Sequence, residues 1–280
     1  MIRTDAWQMQ IREEFQKVLI ADQNIVALAL FGSAISSQKV DATSDLDFLI
    51  VVRDEQFSHY FPKVEWLKPL GELFAFQPFE DDFHGTLRVC FFDFRRLDIL
   101  VTTPSKLERL ASWNNNPFWE GVSILFSRSE KVTQCLAQTW QLPTPMYPSQ
   151  SDFDGMVNAF WFKAMLAGYK VLRDDRLIAS HLALDLVRDC CVLGMILRDR
   201  ATGTNIHREG GEGNHLIDAW DPPLTSYSAR DILNGIERSS IRFDQLASQW
   251  SEAYHERHSP LLEWLDHIRN TIDKKINSSL

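Results

Sequence analysis

Three aspartates, a glycine and a serine have the types and spacing that phosphate chemistry needs. Asp45 and Asp47 lie two apart and lead directly into the apolar run Phe48-Leu49-Ile50-Val51-Val52; Gly32-Ser33 ends another, Ile25-Val26-Ala27-Leu28-Ala29-Leu30-Phe31. Alternate residues of a strand point to one face, so two acids two apart reach the same cation. Paired carboxylates repel unless something positive lies between them. Hard oxygen ligands suit Mg²⁺, which completes its shell with water and substrate phosphates. That chemistry points to a nucleoside triphosphate, with backbone N–H groups after Gly32 and the Ser33 hydroxyl available to phosphate oxygens. Alone, Gly-Ser reads as a turn and Asp-x-Asp as a solvated strand end. Their ordered combination between two strands carries the phosphate reading.

Two-metal phosphoryl chemistry needs a further carboxylate that bridges both cations. Asp98 is the only acid inside Leu97-Asp98-Ile99-Leu100-Val101, which reads as a strand following Leu87-Arg88-Val89-Cys90-Phe91-Phe92 across the turn Asp93-Phe94-Arg95-Arg96. Its expected work is to accept a proton from an attacking hydroxyl, to help hold a metal, or both. Asp93 reads as a turn residue.

The elements that must position these groups are legible in outline. Trp7, Ile11, Phe15 and Val18 recur at helical spacing and predict an opening amphipathic helix. Residues 34–44 are expected to form a turn or short helix. Pro143, Pro145 and Pro148 interrupt the chain near residues 141–150, and the sequence beyond them reads as helical. Ser151 and Asp154 suggest a capping-box start to a helix whose Phe153, Val157, Phe160, Trp161, Ala164 and Gly168 make one face. A second helix is expected from about Arg176 to Leu197. Residues 203–214 read as a glycine-rich loop and Pro222-Pro223 as a break. Ser228 with Asp231 starts a further helix, and Ser259-Pro260 caps the last.

The set Gly32-Ser33, Asp45-x-Asp47 and Asp98 resembles the polymerase β nucleotidyltransferase superfamily. Asp152-Phe153-Asp154, Asn158, Phe160-Trp161, Lys170 and His181-Leu182 narrow the resemblance to the aminoglycoside 6-adenylyltransferases, the streptomycin adenylyltransferase family, and extend it over both halves of the chain. The resemblance implies an α+β fold: an N-terminal polymerase β-like nucleotidyltransferase domain over residues 1–145, with a mixed sheet flanked by helices, and a C-terminal α-helical bundle over 150–280 that binds substrate. It implies ATP as co-substrate with Mg²⁺ on Asp45 and Asp47, and Asp98 as metal ligand and activator of the drug hydroxyl. Two departures bear on the acceptor: Ala159 stands where an acid commonly follows the helix asparagine, and Ser127-Arg128-Ser129 replaces an Asp-Lys-Asp-like stretch.

On this reading the helical domain closes the nucleotide cleft and supplies part of the acceptor pocket. Asp152 and Asp154 are expected either to complement the helix dipole or to bind substrate ammonium groups. The resemblance adds Asn158 as a substrate contact. Lys170 is either a solvated lysine or a reach across the cleft to the triphosphate. Glu80, Asp81 and Asp82 read as an acidic wall or a simple loop. His207 and His215, with Glu209 and Glu212 between them, fit no zinc spacing and read as part of a loop.

Composition agrees. At 280 residues with 45% hydrophobic content, the chain suits one large or two modest domains with real cores. A formal charge of −9 argues against nucleic acid as the main partner and suits a cationic small substrate, although mild acidity also serves solubility alone. The charged opening residues predict neither a signal peptide nor a membrane span, and Cys90, Cys135, Cys190 and Cys191 show neither zinc spacing nor a disulfide framework. The expected setting is a reducing cytoplasm. Rival readings share the catalytic residues: transfer to a lincosamide or another hydroxylated metabolite, transfer to a protein or RNA, or a silent nucleotide-binding regulator. Acceptor, base preference and oligomeric state stay open at this point.

Overall fold

The computed structural model describes residues 6–35, 44–109, 117–138, 145–207, 210–218, 220 and 224–277. The chain divides into two compact units, Met1–Pro143 and Thr144–Leu280.

In the first unit, helix α1 (Ala6–Ala21) leads into strand β1 (Ile25–Phe31), a 3₁₀ turn at Gly32–Ile35, and strand β2 (Leu46–Val52). A short helix α2 (Phe57–Tyr60) precedes β3 (Leu73–Glu80), β4 (Gly85–Phe91) and β5 (Arg96–Thr102); α3 (Pro104–Leu107), β6 (Ser123–Ser127) and α4 (Glu130–Leu136) complete it. The strands form one mixed sheet in the order β3-β4-β5-β2-β1-β6. Only β2 and β5 run parallel; every other neighbouring pair is antiparallel. Alternation along the strands divides the apolar side chains between two faces. Leu28, Leu30, Phe48, Ile50, Leu87, Val89, Leu97 and Ile99 bury one face with Ile11, Phe15 and Leu19 of α1. Ala27, Ala29, Phe31, Leu49, Val51 and Leu100 share the other core with Leu107 of α3, Val132 and Leu136 of α4, and Phe118.

The second unit is helical: α5 (Gln150–Leu172), α6 (Arg176–Thr202), the one-turn α7 (His215–Asp218), α8 (Ala229–Trp250) and α9 (His258–Asn277). Its core runs through Phe153, Val157, Phe160, Leu186, Leu193, Ile236, Phe243 and Ile268. Phe160 stacks on Phe243 with centroids 3.8 Å apart. Gly168 admits α9 closely, since a Cβ there would stand 2.4 Å from the Trp264 ring.

Several expectations shift by a few residues. Helix α5 is capped by Ser149 with Asp152 in a reciprocal capping box, not by Ser151 with Asp154. Helix α6 runs five residues beyond Leu197 before Gly203 closes it in the left-handed region. Helix α9 begins at His258, placing Ser259-Pro260 inside its first turn. Strands β3 and β6 go beyond the sequence expectation: β3 is an edge strand exposed almost throughout, so it lacks a buried apolar face, and β6 is only partly buried. The expected turn after Gly32 is present as the 3₁₀ turn to Ile35; residues 36–43, Pro143, Glu209 and Pro222-Pro223 lie outside the described residues.

Candidate active site

Strand register gathers the carboxylates. Asp47 of β2 lies opposite Asp98 of β5, and Phe31, the last residue of β1, lies opposite Asp47 on its other side. Across β4 and β3 the same row continues through Arg88 to Gln77. Directly opposed residues share a face of the sheet, so the row reads Gln77, Arg88, Asp98, Asp47, Phe31 from the sheet edge inward. Asp45, just before β2, falls beside Arg96, the first residue of β5, and the Arg96 guanidinium meets its carboxylate at 2.5 Å.

At Gly32 the chain turns out of β1 with φ +66°, and a Cβ there would lie 2.2 Å from Oδ2 of Asp47. No side chain fits. Glycine is required both by the left-handed backbone and by the carboxylate pressed against it. Ser33 follows, buried, in the same 3₁₀ turn.

Asp98 is only 24% exposed, and Arg88 donates to its Oδ2 at 3.3 Å. Burial pushes its carboxyl above the ordinary aspartate range and the negative charge of Asp45 pushes the same way; Arg88 and Arg96 oppose them without prevailing. A carboxylate so destabilised is a stronger base than a solvated aspartate. Asp45, Arg88, Arg96 and Asp98 line one cavity of about 430 Å³, walled on the β3 side by Ala75, Phe76 and Gln77.

Among the described residues, no group of three His, Cys, Asp or Glu side chains is placed so that it could hold a metal ion by itself. The chain offers instead acidic oxygens from the adjacent starts of two parallel strands, with two guanidinium groups already neutralising them. These residues fit Mg²⁺, which is ordinarily held by one or two carboxylates and takes its other ligands from phosphate and water.

The remaining expected residues lie in the second unit. Asp152 is engaged at the helix start, its Oδ2 accepting from the Ser149 N–H at 2.8 Å and from the Ser149 hydroxyl. Asp154 accepts from Gln150 at 2.9 Å, and Asn158 accepts from Arg257 at 3.3 Å. Asp154 and Asn158 line a second cavity, about 350 Å³, with Gln150, Tyr254, His255 and Arg257; Asp152 does not. Lys170 pairs with Asp175 at 3.1 Å, across the turn from α5 to α6.

The segment carrying Tyr254 to Arg257 is held from below. Asp244 of α8, 1% exposed, accepts from the Tyr254 hydroxyl at 2.5 Å, the N–H groups of Arg257 and His258 at 2.9 and 2.8 Å, and His258 Nδ1 at 2.7 Å. Elsewhere, Asp81 shapes the β3–β4 hairpin by accepting from the N–H groups of Phe83 and His84. Asp93 does the same for Arg95 in the next turn. His207 sits between Asp199 at 2.8 Å and Glu212 at 3.1 Å, which ties the glycine-rich loop to α6.

Sequence reasoning missed Arg88, Arg96 and Gln77 as parts of the site. A signal existed for the arginines: a hairpin turn centred on Asp93 pairs Arg88 with Asp98 and Cys90 with Arg96. Asp244 and Arg257 carried no such signal, because their partners come from distant turns of the helical unit.

The family model for streptomycin adenylyltransferase matches residues 8–241, most of both units. The chain belongs to the streptomycin adenylyltransferase family. Membership makes it a nucleotidyltransferase of the aminoglycoside adenylyltransferase type, with the mixed sheet and helical C-terminal region described above. Among solved structures, it is similar to an aminoglycoside 6-adenyltransferase from Bacillus subtilis, with 14% identity and a TM-score of 0.37 over 95% of this chain and 99% of that one. A nucleotidyltransferase-like protein from Exiguobacterium sibiricum is similar at 12% identity and TM-score 0.29, over 98% of this chain and 91% of that one. No curated protein matches. Among the described residues, no helix is long and apolar enough to cross a membrane.

Proposed function

We propose that this family member transfers AMP from ATP to a hydroxyl of a small molecule, an aminoglycoside such as streptomycin, and releases pyrophosphate. The observation that carries the reading is the register of β2 on β5, which sets Asp47 opposite Asp98 with Asp45 beside them.

Asp45 and Asp47, with Asp98, supply the metal-binding oxygens, and Gly32 and Ser33 receive the outer phosphates. Mg²⁺ held by these residues would neutralise charge on the triphosphate and on the adenylyl group being transferred. Asp98 takes the proton from the acceptor hydroxyl as its oxygen attacks the α-phosphorus in line; the bond from that phosphorus to the pyrophosphate oxygen breaks. Positioning and electrostatics provide most of the acceleration in such transfers, so small displacements of these groups are costly.

In the helical unit, Asp154 and Asn158 are the proposed acceptor contacts, supported by the cavity they share. Asp152 keeps a substrate role in this reading only alongside its duty at the helix start. Lys170 is assigned to the nucleotide, which requires it to leave Asp175. The reading places the protein in the cytoplasm. The test is pyrophosphate release from ATP and Mg²⁺ over a panel of aminoglycosides led by streptomycin, with lincosamides alongside. Release that requires an aminoglycoside and vanishes in Asp98→Asn is the expected result. Release driven only by a lincosamide or by no drug in the panel overturns the acceptor assignment.

A further inference from the structure

The cavity beside the carboxylates holds two cations, and both are already spoken for. Arg88 meets Asp98 at 3.3 Å and Arg96 meets Asp45 at 2.5 Å. Their side chains are 68% and 57% exposed, although a guanidinium nitrogen of each reaches an acid. Both come from the β4–β5 hairpin, where the register of Arg88 on Asp98 and of Cys90 on Arg96 sends them to the cavity face.

We propose that Arg88 and Arg96 are exchangeable counter-cations: they cover Asp98 and Asp45 when no metal is bound, and turn to the triphosphate when metal and nucleotide enter together. The inference rests on the proposed nucleotidyl transfer. Carboxylates this close repel one another, and the guanidinium groups relieve that repulsion. A divalent cation arriving alone must displace them and then sit within a few ångströms of two positive charges. An arriving triphosphate removes that penalty, because planar guanidinium forks match phosphate oxygens as well as they match carboxylates. Metal and nucleotide therefore bind with positive coupling, and each arginine carries part of it. The site resists stray divalent cations and frees its arginines for the phosphates when the nucleotide is present.

The signature is a pair of changes of opposite sign, which a merely structural role does not produce. The experiment is calorimetric titration of the full chain with MnCl₂ alone, and then with a non-hydrolysable α,β-methylene ATP in excess Mg²⁺. In Arg96→Gln and in Arg88→Gln, affinity for Mn²⁺ alone is expected to rise by about tenfold, as loss of a neighbouring unit charge implies. Affinity for the ATP analogue is expected to fall by about tenfold, the loss of one charge-assisted phosphate contact. Arg96→Lys and Arg88→Lys keep the charge and should lie between wild type and the glutamine variants on both scales. Unchanged or weaker Mn²⁺ binding in the glutamine variants, or undiminished binding of the analogue, overturns the proposal. If the wild-type chain binds neither ligand, the nucleotidyl-transfer reading falls with it. Binding by wild type without the opposed shifts overturns the exchange alone.

Discussion

Two sets of acidic residues in this molecule invite the same functional reading, and they differ in what the fold does with them. On the sheet, Asp45, Asp47 and Asp98 come together at the starts of β2 and β5, where burial and mutual charge push Asp98 upward. At the start of α5, Asp152 closes a capping box and sits low in its range because the Ser149 hydroxyl and N–H bond to it. Asp98 in the first set costs the fold something, and Asp152 in the second supports it. Residues whose arrangement opposes folding are the stronger indicators of chemistry, and residues that serve a helix end explain themselves.

The sharpest way to break this contrast is substitution on the sheet. Asp47→Asn and Asp98→Asn are each expected to lower turnover by roughly a thousandfold or more, in steady-state pyrophosphate release, with circular dichroism unchanged. Asp98→Asn should in addition raise the melting temperature of the metal-free protein at neutral pH. The folded carboxyl is raised, so its ionised form is a cost to the fold above that raised range. The gain from the amide should therefore shrink as pH falls through it. A lower melting temperature for Asp98→Asn would remove the idea that this site is held against folding.

Next in size is Gly32→Ala. The new methyl strikes the Asp47 carboxylate and the backbone is left-handed there, so a loss of about 1–3 kcal/mol in chemical denaturation is expected together with loss of turnover. In the helical unit, Asp244→Ala strands the donors of Tyr254, Arg257 and His258 and should cost about 3 kcal/mol, read the same way.

The smallest effects separate support from binding within α5. Ser149→Ala is expected to cost about 1 kcal/mol and leave KM for the acceptor unchanged. Asp154→Ala and Asn158→Ala should leave stability nearly unchanged and raise acceptor KM by roughly threefold to tenfold. The reverse pattern would take the acceptor away from the cavity that Asp154 and Asn158 share.

The same contrast explains what could be read from the chain alone. Strands β1, β2 and β5 are largely buried apolar runs, β1 with no polar residue and β2 and β5 each interrupted by a single acid, so both the strands and the odd residues, Asp47 and Asp98, stand out. Strand β3 does not, because Leu-Phe-Ala-Phe-Gln-Pro-Phe-Glu at a sheet edge has neither a clean alternation nor a buried run. The start of α5 is displaced by two residues because Ser149 and Ser151 are followed three residues later by Asp152 and Asp154, and local sequence offers two equal boxes. Arg257 and Asp244 are invisible for a different reason: their meaning depends on which distant turn the helical unit brings against them.

The most direct test of the carboxylate row is to follow wild-type and Asp98→Asn proteins side by side with ATP, Mg²⁺ and streptomycin, measuring nucleotide binding and adenylylated drug in the same samples. Bound ATP in both, with adenylylated streptomycin formed only by wild type, is the expected result. Equal product from the Asp98→Asn protein would contradict the assignment of Asp98 as the group that activates the acceptor.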